Sequence, residues 1–146
     1  MAQKIDSAFE LLEKAHEGFL ATLEEGKPFV SAAGFLYERK SGKFGKIFLF
    51  LSDLARHTKN LRSNPQVSLA AAEAGPEPVY ERRRVTAQGS IQAVEDPALI
   101  KTLQSKYAKI FQGSDMLFGF RDFHFFGIDI TEIHLVAGFG SIETFK

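Results

Sequence analysis

The residues with the most chemical reach lie in one run, Phe50 to Leu69, FLSDLARHTKNLRSNPQVSL. Arg56, His57, Thr58 and Lys59 place two cations, an imidazole and a hydroxyl in four consecutive positions. Just upstream, Ser52 and Asp53 offer N-cap side chains, and Leu54 to Arg62 is predicted to form a short helix. Asn64-Pro65 would stop it. The first turn of a helix presents free N–H groups and a partial positive charge, so it suits a phosphate. A solvated basic turn between two strands fits the same pattern, and the residues alone leave both readings open.

Two further features carry charge or imidazole. Glu81-Arg82-Arg83-Arg84 is the sharpest charge run and enters a strand in which Val85, Ala87 and Gly89 alternate with Thr86 and Gln88. Arg84 shares the face of Thr86 and Gln88, whereas Arg82 and Arg83 are expected to be solvated. His16, near the end of a predicted helix, is expected to serve packing or the helix dipole rather than ligation. His134 reads as a hydrogen-bonded side chain on a barrel wall. No paired carboxylates, Ser-His-Asp order, His-x-x-x-His spacing, P-loop or Gly-x-Gly-x-x-Gly makes a hydrolase, metal or nucleotide case.

The elements that would position these groups can be read in order. Ser7 to Glu17 is predicted as an amphipathic helix, capped by Asp6 or Ser7 and ended by Gly18. Phe19 to Leu23 and Pro28 to Tyr37 form a hairpin around Glu24-Glu25-Gly26-Lys27. The second strand has a small-residue centre, Val30-Ser31-Ala32-Ala33-Gly34, over which a flat ring or phosphate could approach the backbone. Lys46 to Leu51 and Val67 to Ala72 flank the basic helix as strands. A fifth strand, entered at Val85, runs to about Val94, and Asp96-Pro97 opens a helix to Phe111, ended by Gly113. Phe123 to Ile130 and Ile133 to Ala137 are read as two strands. With 15 Phe and no Trp, the Phe-rich stretch from Phe111 to Phe126 is expected in a core or subunit interface. Many short strands, three helices and Gly-rich turns predict a mostly β, small antiparallel barrel.

SDLARHTKNLRSNPQVSL also resembles the Ser-x-Leu-Ala-x-His-Thr-x-Asn-Leu…Pro-x-x-Ser-Leu block of the FMN-binding split-barrel proteins. These form the pyridoxamine 5′-phosphate oxidase-like superfamily, and the nearest branch is the haem-utilisation (HugZ-like) one. Leu20-Ala21-Thr22-Leu23 with Gly26-Lys27-Pro28-Phe29-Val30-Ser31, Arg84-Val85-Thr86-Ala87-Gln88-Gly89 and Gly138-Phe139-Gly140 fit in the same order. The resemblance implies an antiparallel split β-barrel with three peripheral helices, forming one domain over residues 1–146. It also implies a homodimer with FMN bound at the interface, and an oxidoreductase acting on an unidentified small molecule or redox donor. Ser52, Arg56, His57, Thr58 and Lys59 would hold the phosphate, Val30, Ser31 and Ala32 would run along the isoalloxazine, and Arg84 and Phe139 would approach the flavin. Haem binding or haem cleavage, or flavin binding without turnover, are the alternatives. The vitamin B6 oxidases of the superfamily end in an Arg-Leu-containing substrate motif, which the run Gly138 to Lys146 lacks.

Composition sets the remaining bounds. Eighteen basic residues balance eighteen acidic ones, so no general attraction to nucleic acid or anionic membrane is expected. With no Cys there is no disulfide or thiolate chemistry, which fits a cytoplasmic setting. The N-terminal run MAQKIDSAFELLEK carries charges where a signal peptide needs an apolar core.

Overall fold

The computed structural model describes residues 2–138 and 140–146, with Ala2 and Gln3 as backbone only. Its organising hairpin forms where expected. Glu25 (φ 52°) and Gly26 (φ 79°) both adopt the left-handed conformation that lets a two-residue loop match the twist of its strands. They join β1 (Glu17–Glu24) to β2 (Lys27–Gly34) in unbroken antiparallel register. The strand predicted to run on to Tyr37 instead turns at Phe35. There the N–H donates to the His16 carbonyl (2.8 Å) while the ring is fully buried, and β3 (Leu36–Glu38) sets off in a new direction.

β4 (Lys46–Ser52), β5 (Gln66–Ala72), β6 (Arg83–Ala93), β7 (Phe123–Ala137) and β8 (Ile142–Phe145) complete the sheet. Its order is β2-β1-β5-β6-β7-β4-β3, antiparallel throughout, with β8 added to the C-terminal half of β7. The two strands read between Phe123 and Ala137 are one. Gln88 pairs with Glu132 and Gly89 with Ile130, so Thr131 is an extra residue, a bulge that bends β7 without ending it. Its hydroxyl donates to the Gln88 carbonyl (3.3 Å). The result is a split barrel, as the resemblance implied.

Three α-helices surround it. α1 (Ala2–Lys14) begins five residues before the predicted Ser7 start and stops before Gly18. Gly18 lies inside β1, where a Cβ would sit 2.6 Å from the Ala70 carbonyl, so the glycine serves close strand approach rather than a helix end. α2 (Arg56–Ser63), by contrast, starts later than the predicted Leu54. α3 (Pro97–Ile110) matches its sequence signals: Pro97 opens it and the Asp96 carboxylate accepts from Ala98 N–H (3.2 Å).

Period-two alternation in β4 feeds two cores at once. Ile47, Leu49 and Leu51 join Leu12, Leu20, Leu69, Val85 and Ile133 inside the barrel, beneath α1. Phe48 and Phe50 point the other way, into a second cluster with Leu103, Tyr107, Phe118 and Phe125. The Phe50 ring centroid lies 4.5 Å from that of Phe125 and 5.3 Å from Phe118 and Phe123. Phe118, Phe123 and Phe125 of the Phe-rich segment therefore pack in a core whereas Phe120 is 51% exposed, and Phe50→Ala should cost about 3–5 kcal/mol. Among the described residues no helix is long and apolar enough to cross a membrane.

The bulge gives a sharp test. A Cβ on Gly89 would stand 2.0 Å from the Asp129 carbonyl, a backbone atom with little freedom to move, whereas at Gly119 it would meet nothing within 4 Å. Gly89→Ala should therefore lower stability by about 1–3 kcal/mol in urea titrations. Gly119→Ala should leave the midpoint nearly unchanged, and equal effects would refute the clash.

Candidate functional site

Alternation along the β1–β2 hairpin sorts the candidate residues onto two faces. Thr22 and Ser31 point inward toward α2, while Phe19, Ala21, Val30 and Ala32 point outward.

On the inner side α2 is bound by polar contacts. Ser31 Oγ lies 3.1 Å from His57 Nδ1, and Asn60 Nδ2 donates to Thr22 Oγ1 (3.1 Å). His57 Nε2 and the fully buried Thr58 Oγ1 have no hydrogen-bond partner among the described residues. Burial pushes the His57 imidazole below its usual pKa and so favours the neutral ring. Arg56 is committed elsewhere. It forks onto the Glu24 carboxylate (2.7 and 2.9 Å) and lies 4.3 Å over the Phe29 ring. Lys59 is exposed to solvent.

The expected caps of α2 have other partners, which is why the helix begins at Arg56 with Ala55 in the cap position and no side-chain cap. Ser52 Oγ donates to Asp122 Oδ2 (2.7 Å) and accepts from Leu54 N–H (3.1 Å). Asp53 Oδ2 meets His124 Nε2 at 3.0 Å, and Oδ1 forms an ion pair with Arg62 at 2.8 Å. Burial works to raise the Asp53 carboxyl, but its contacts with His124 and Arg62 outweigh that and hold it below the usual range. Two carboxylates thus stand at the entrance to the helix predicted to receive a phosphate.

The outer face follows from strand register, because directly opposed residues share a side. Phe19 faces Ala32 and Ala70, Ala21 faces Val30 and Ser68, and Ala72 faces Arg84. Arg84 in turn faces Val136, which faces Ile142. Phe19 and Val30 are each 58% exposed and Ile142 66%. Arg84 donates to the Val79 carbonyl (2.5 Å). Arg82 and Arg83 are not solvated as expected. Arg82 donates to the Glu77 and Glu73 carbonyls, and Arg83 pairs with Glu73 (2.5 Å) and Glu10 (3.1 Å), tying α1 to the sheet.

The predicted site residues therefore fall into separate groups. Ser31, Arg56, His57, Thr58 and Lys59 gather around α2, Val30, Ala32 and Arg84 share the outer face, and Ser52 pairs with Asp122. Phe139 lies outside the described residues.

Beside the outer face, two adjoining cavities open that the motif reading did not anticipate as a pair. One, of about 570 Å³, is lined by Lys14, His16, Arg83, Ile110 and Phe111 among others. The other, of about 510 Å³, is walled by Gly18, Phe19, Ala32, Ala33, Gly34 and Ala71. Glu17 and Ala72 border both. The small residues noted at Val30 to Gly34 were the one sequence signal for this slot. His16 was expected to serve packing or the helix dipole, and its neighbours in the cavity arrive from α3 and β5.

A pH experiment probes the α2 contacts. His57 titrates near 6.5 when unfolded and lower when folded. Between those values the unfolded chain holds more protons, so stability falls as the pH drops through this window. His57→Gln should flatten the dependence as the pH falls through 6.5 in urea titrations. An unchanged slope would contradict the buried, neutral imidazole.

Comparison with known proteins agrees with this architecture. The family model described as pyridoxamine 5′-phosphate oxidase matches residues 5–137. Haem oxygenase HutZ of Vibrio cholerae is 30% identical over 129 residues, covering 83% of this chain and 69% of that protein. A crystal structure of HutZ, described as a haem storage protein, superposes with a TM-score of 0.73 at 28% identity, over 91% of this chain and 93% of that one. A haem-binding protein from Mycobacterium smegmatis shares the fold, with a TM-score of 0.85 at 23% identity. It covers 97% of this chain, which spans 57% of that protein's length. The chain belongs to the pyridoxamine 5′-phosphate oxidase-like split-barrel family, close to its haem-utilisation branch.

Proposed function

We propose that this protein binds haem, in the slot formed by the two adjoining cavities, and does so as a homodimer. The observation that carries the reading is the match of that slot to haem's own chemistry. Haem is a flat apolar macrocycle edged by two carboxylates and centred on an iron that takes axial ligands. The slot has small-residue walls at Ala32, Ala33, Gly34 and Ala71, apolar sides at Phe19, Ile110 and Phe111, cations at Lys14 and Arg83 beside the carboxylates of Glu17 and Glu73, and an imidazole at His16. Lys14 and Arg83 could receive the carboxylates by charge-assisted hydrogen bonds, in exchange for part of their pairing with Glu10 and Glu73. Bound haem would supply iron-centred redox chemistry, which the side chains of this protein lack. Its 30% identity to a haem oxygenase supports the same ligand.

FMN is the second reading, favoured by the uncapped first turn of α2 and the free Lys59. It has less support. Arg56 is held by Glu24 and Ser52 by Asp122, while His57 and Thr58 point into the protein. A phosphate would have to displace these partners and settle beside Asp53 and Asp122. An FMN-dependent oxidoreductase would need a different arrangement of this loop.

The dimer reading rests on the outer face. Phe19, Val30 and Ile142 lie exposed there among Ala21, Ala32, Ala70 and Ala72, an apolar surface unlike a solvated strand face. Arg84 and Glu132 lie on the same face and carry opposite charges, which a two-fold axis can bring into register. A second copy would also close the Phe19–Ala32 side of the slot.

Two measurements test these proposals. Haemin titrated into the protein should give a saturable Soret band with one haem per chain. Ala32→Trp should weaken it by roughly tenfold or more while leaving the far-ultraviolet circular dichroism unchanged, since Ala32 is exposed. Absence of a saturable band in the unaltered protein would refute haem binding. Light scattering should give twice 16.2 kDa for the native chain and close to 16.2 kDa for Phe19→Arg. A native monomer at micromolar concentration would refute the dimer.

A further inference from the structure

We infer that His16 is the axial ligand of the haem iron, an assignment that rests on the haem-binding reading above. The ligand inventory of the chain is short. It has no Cys, so thiolate ligation is closed, and four His. Three of those line neither half of the slot. His57 meets Ser31, His124 meets Asp53, and His134 meets Thr144 at 2.8 Å. Tyr37 donates its hydroxyl to the Phe44 carbonyl (2.6 Å), and Tyr107 is packed within the second core. Tyr80 and Met116 lie exposed, and neither lines either half of the slot.

His16 differs from all of these. It sits at the junction of α1 and β1, where its own carbonyl accepts the Phe35 N–H, so its backbone is fixed by the corner between β2 and β3. Its ring stands edge-on to Phe111, with centroids 6.4 Å apart. Nδ1 is shut off from solvent and has no hydrogen-bond partner among the described residues. The ring borders the 570 Å³ cavity on one side and a further cavity of about 260 Å³ against α3 on the other. With Nδ1 enclosed, the Nε2 edge is the one an iron can reach, and neutral imidazole is a common iron ligand. The position also suits the rest of the macrocycle. The ring lies where the cation-bearing cavity begins, with Phe111 and Ile110 beside it and the alanine-walled cavity across Glu17 and Ala72. The geometry thus combines a fixed donor, an apolar bed and cations for the carboxylates in one place.

The test uses the full chain loaded with haemin and reads the iron's ligation rather than turnover. Ferric haem in the unaltered protein should show the electron paramagnetic resonance of a histidine-ligated iron, and the ferrous form an iron–histidine stretch in resonance Raman spectra. His16→Ala should remove that stretch, move the Soret band and weaken haemin binding roughly tenfold or more. Added imidazole should restore the original spectrum, a rescue that a packing role would not give. His124→Gln and His134→Gln should keep the native spectrum. If His16→Ala binds haemin with unchanged spectra, or if His57→Gln, His124→Gln or His134→Gln loses the stretch instead, the ligand assignment is overturned while haem binding stands. If the unaltered protein shows no Soret band at all, the haem reading itself fails.

Discussion

The two-sided burial of β4 is the constraint on which the rest of the molecule depends. Ile47, Leu49 and Leu51 fill the barrel interior, and Phe48 and Phe50 fill the aromatic layer under α3. A strand apolar on both faces cannot lie at a surface, so it must be covered by α1 through the barrel contents on one side and by α3 on the other. Pairing with β7 from Lys46–Asp129 to Ser52–Phe123 then fixes where β4 ends. That end delivers Ser52 and Asp53 to Asp122 and His124, and sets the start of α2.

The same alternation explains why the candidate residues separate. On β2, Ser31 faces inward and is drawn to His57, while its neighbours Val30 and Ala32 face out. A sequence block that looks like one binding motif is divided by the pleat into a buried polar brace and an apolar outer surface. The brace commits Ser31, Arg56 and Asn60 to protein partners, while His57 Nε2 and Thr58 Oγ1 have none among the described residues. The outer surface keeps small walls, exposed apolar side chains and access to His16, and this is where a flat ligand finds room.

Much of the fold was legible in the sequence because its signals are local. Gly26 marked the hairpin, Asp96-Pro97 marked α3, and alternation marked β6 and placed Arg84 with Thr86 and Gln88. His134 proved to be a bonded wall residue. The parts that were misread depend on partners far along the chain. Ser52 looked like a cap for α2 until Asp122, seventy residues on, took its hydroxyl. Gly18 looked like a helix end but answers to Ala70, and Arg83 looked solvated but answers to Glu73 and Glu10. β7 looked like two strands because a bulge residue, Thr131, interrupts a periodicity that the ladder itself carries through. His16 was read as a packing or dipole residue, and its surroundings at Phe111 and the turn at Phe35 lie far along the chain.

The central claim is that this split barrel holds haem rather than FMN. The most direct measurement is native mass spectrometry of the full chain after incubation with equal concentrations of haemin and FMN. The account predicts a dimer carrying haem, with FMN absent from the main species. A main species that carries FMN and excludes haem would contradict it.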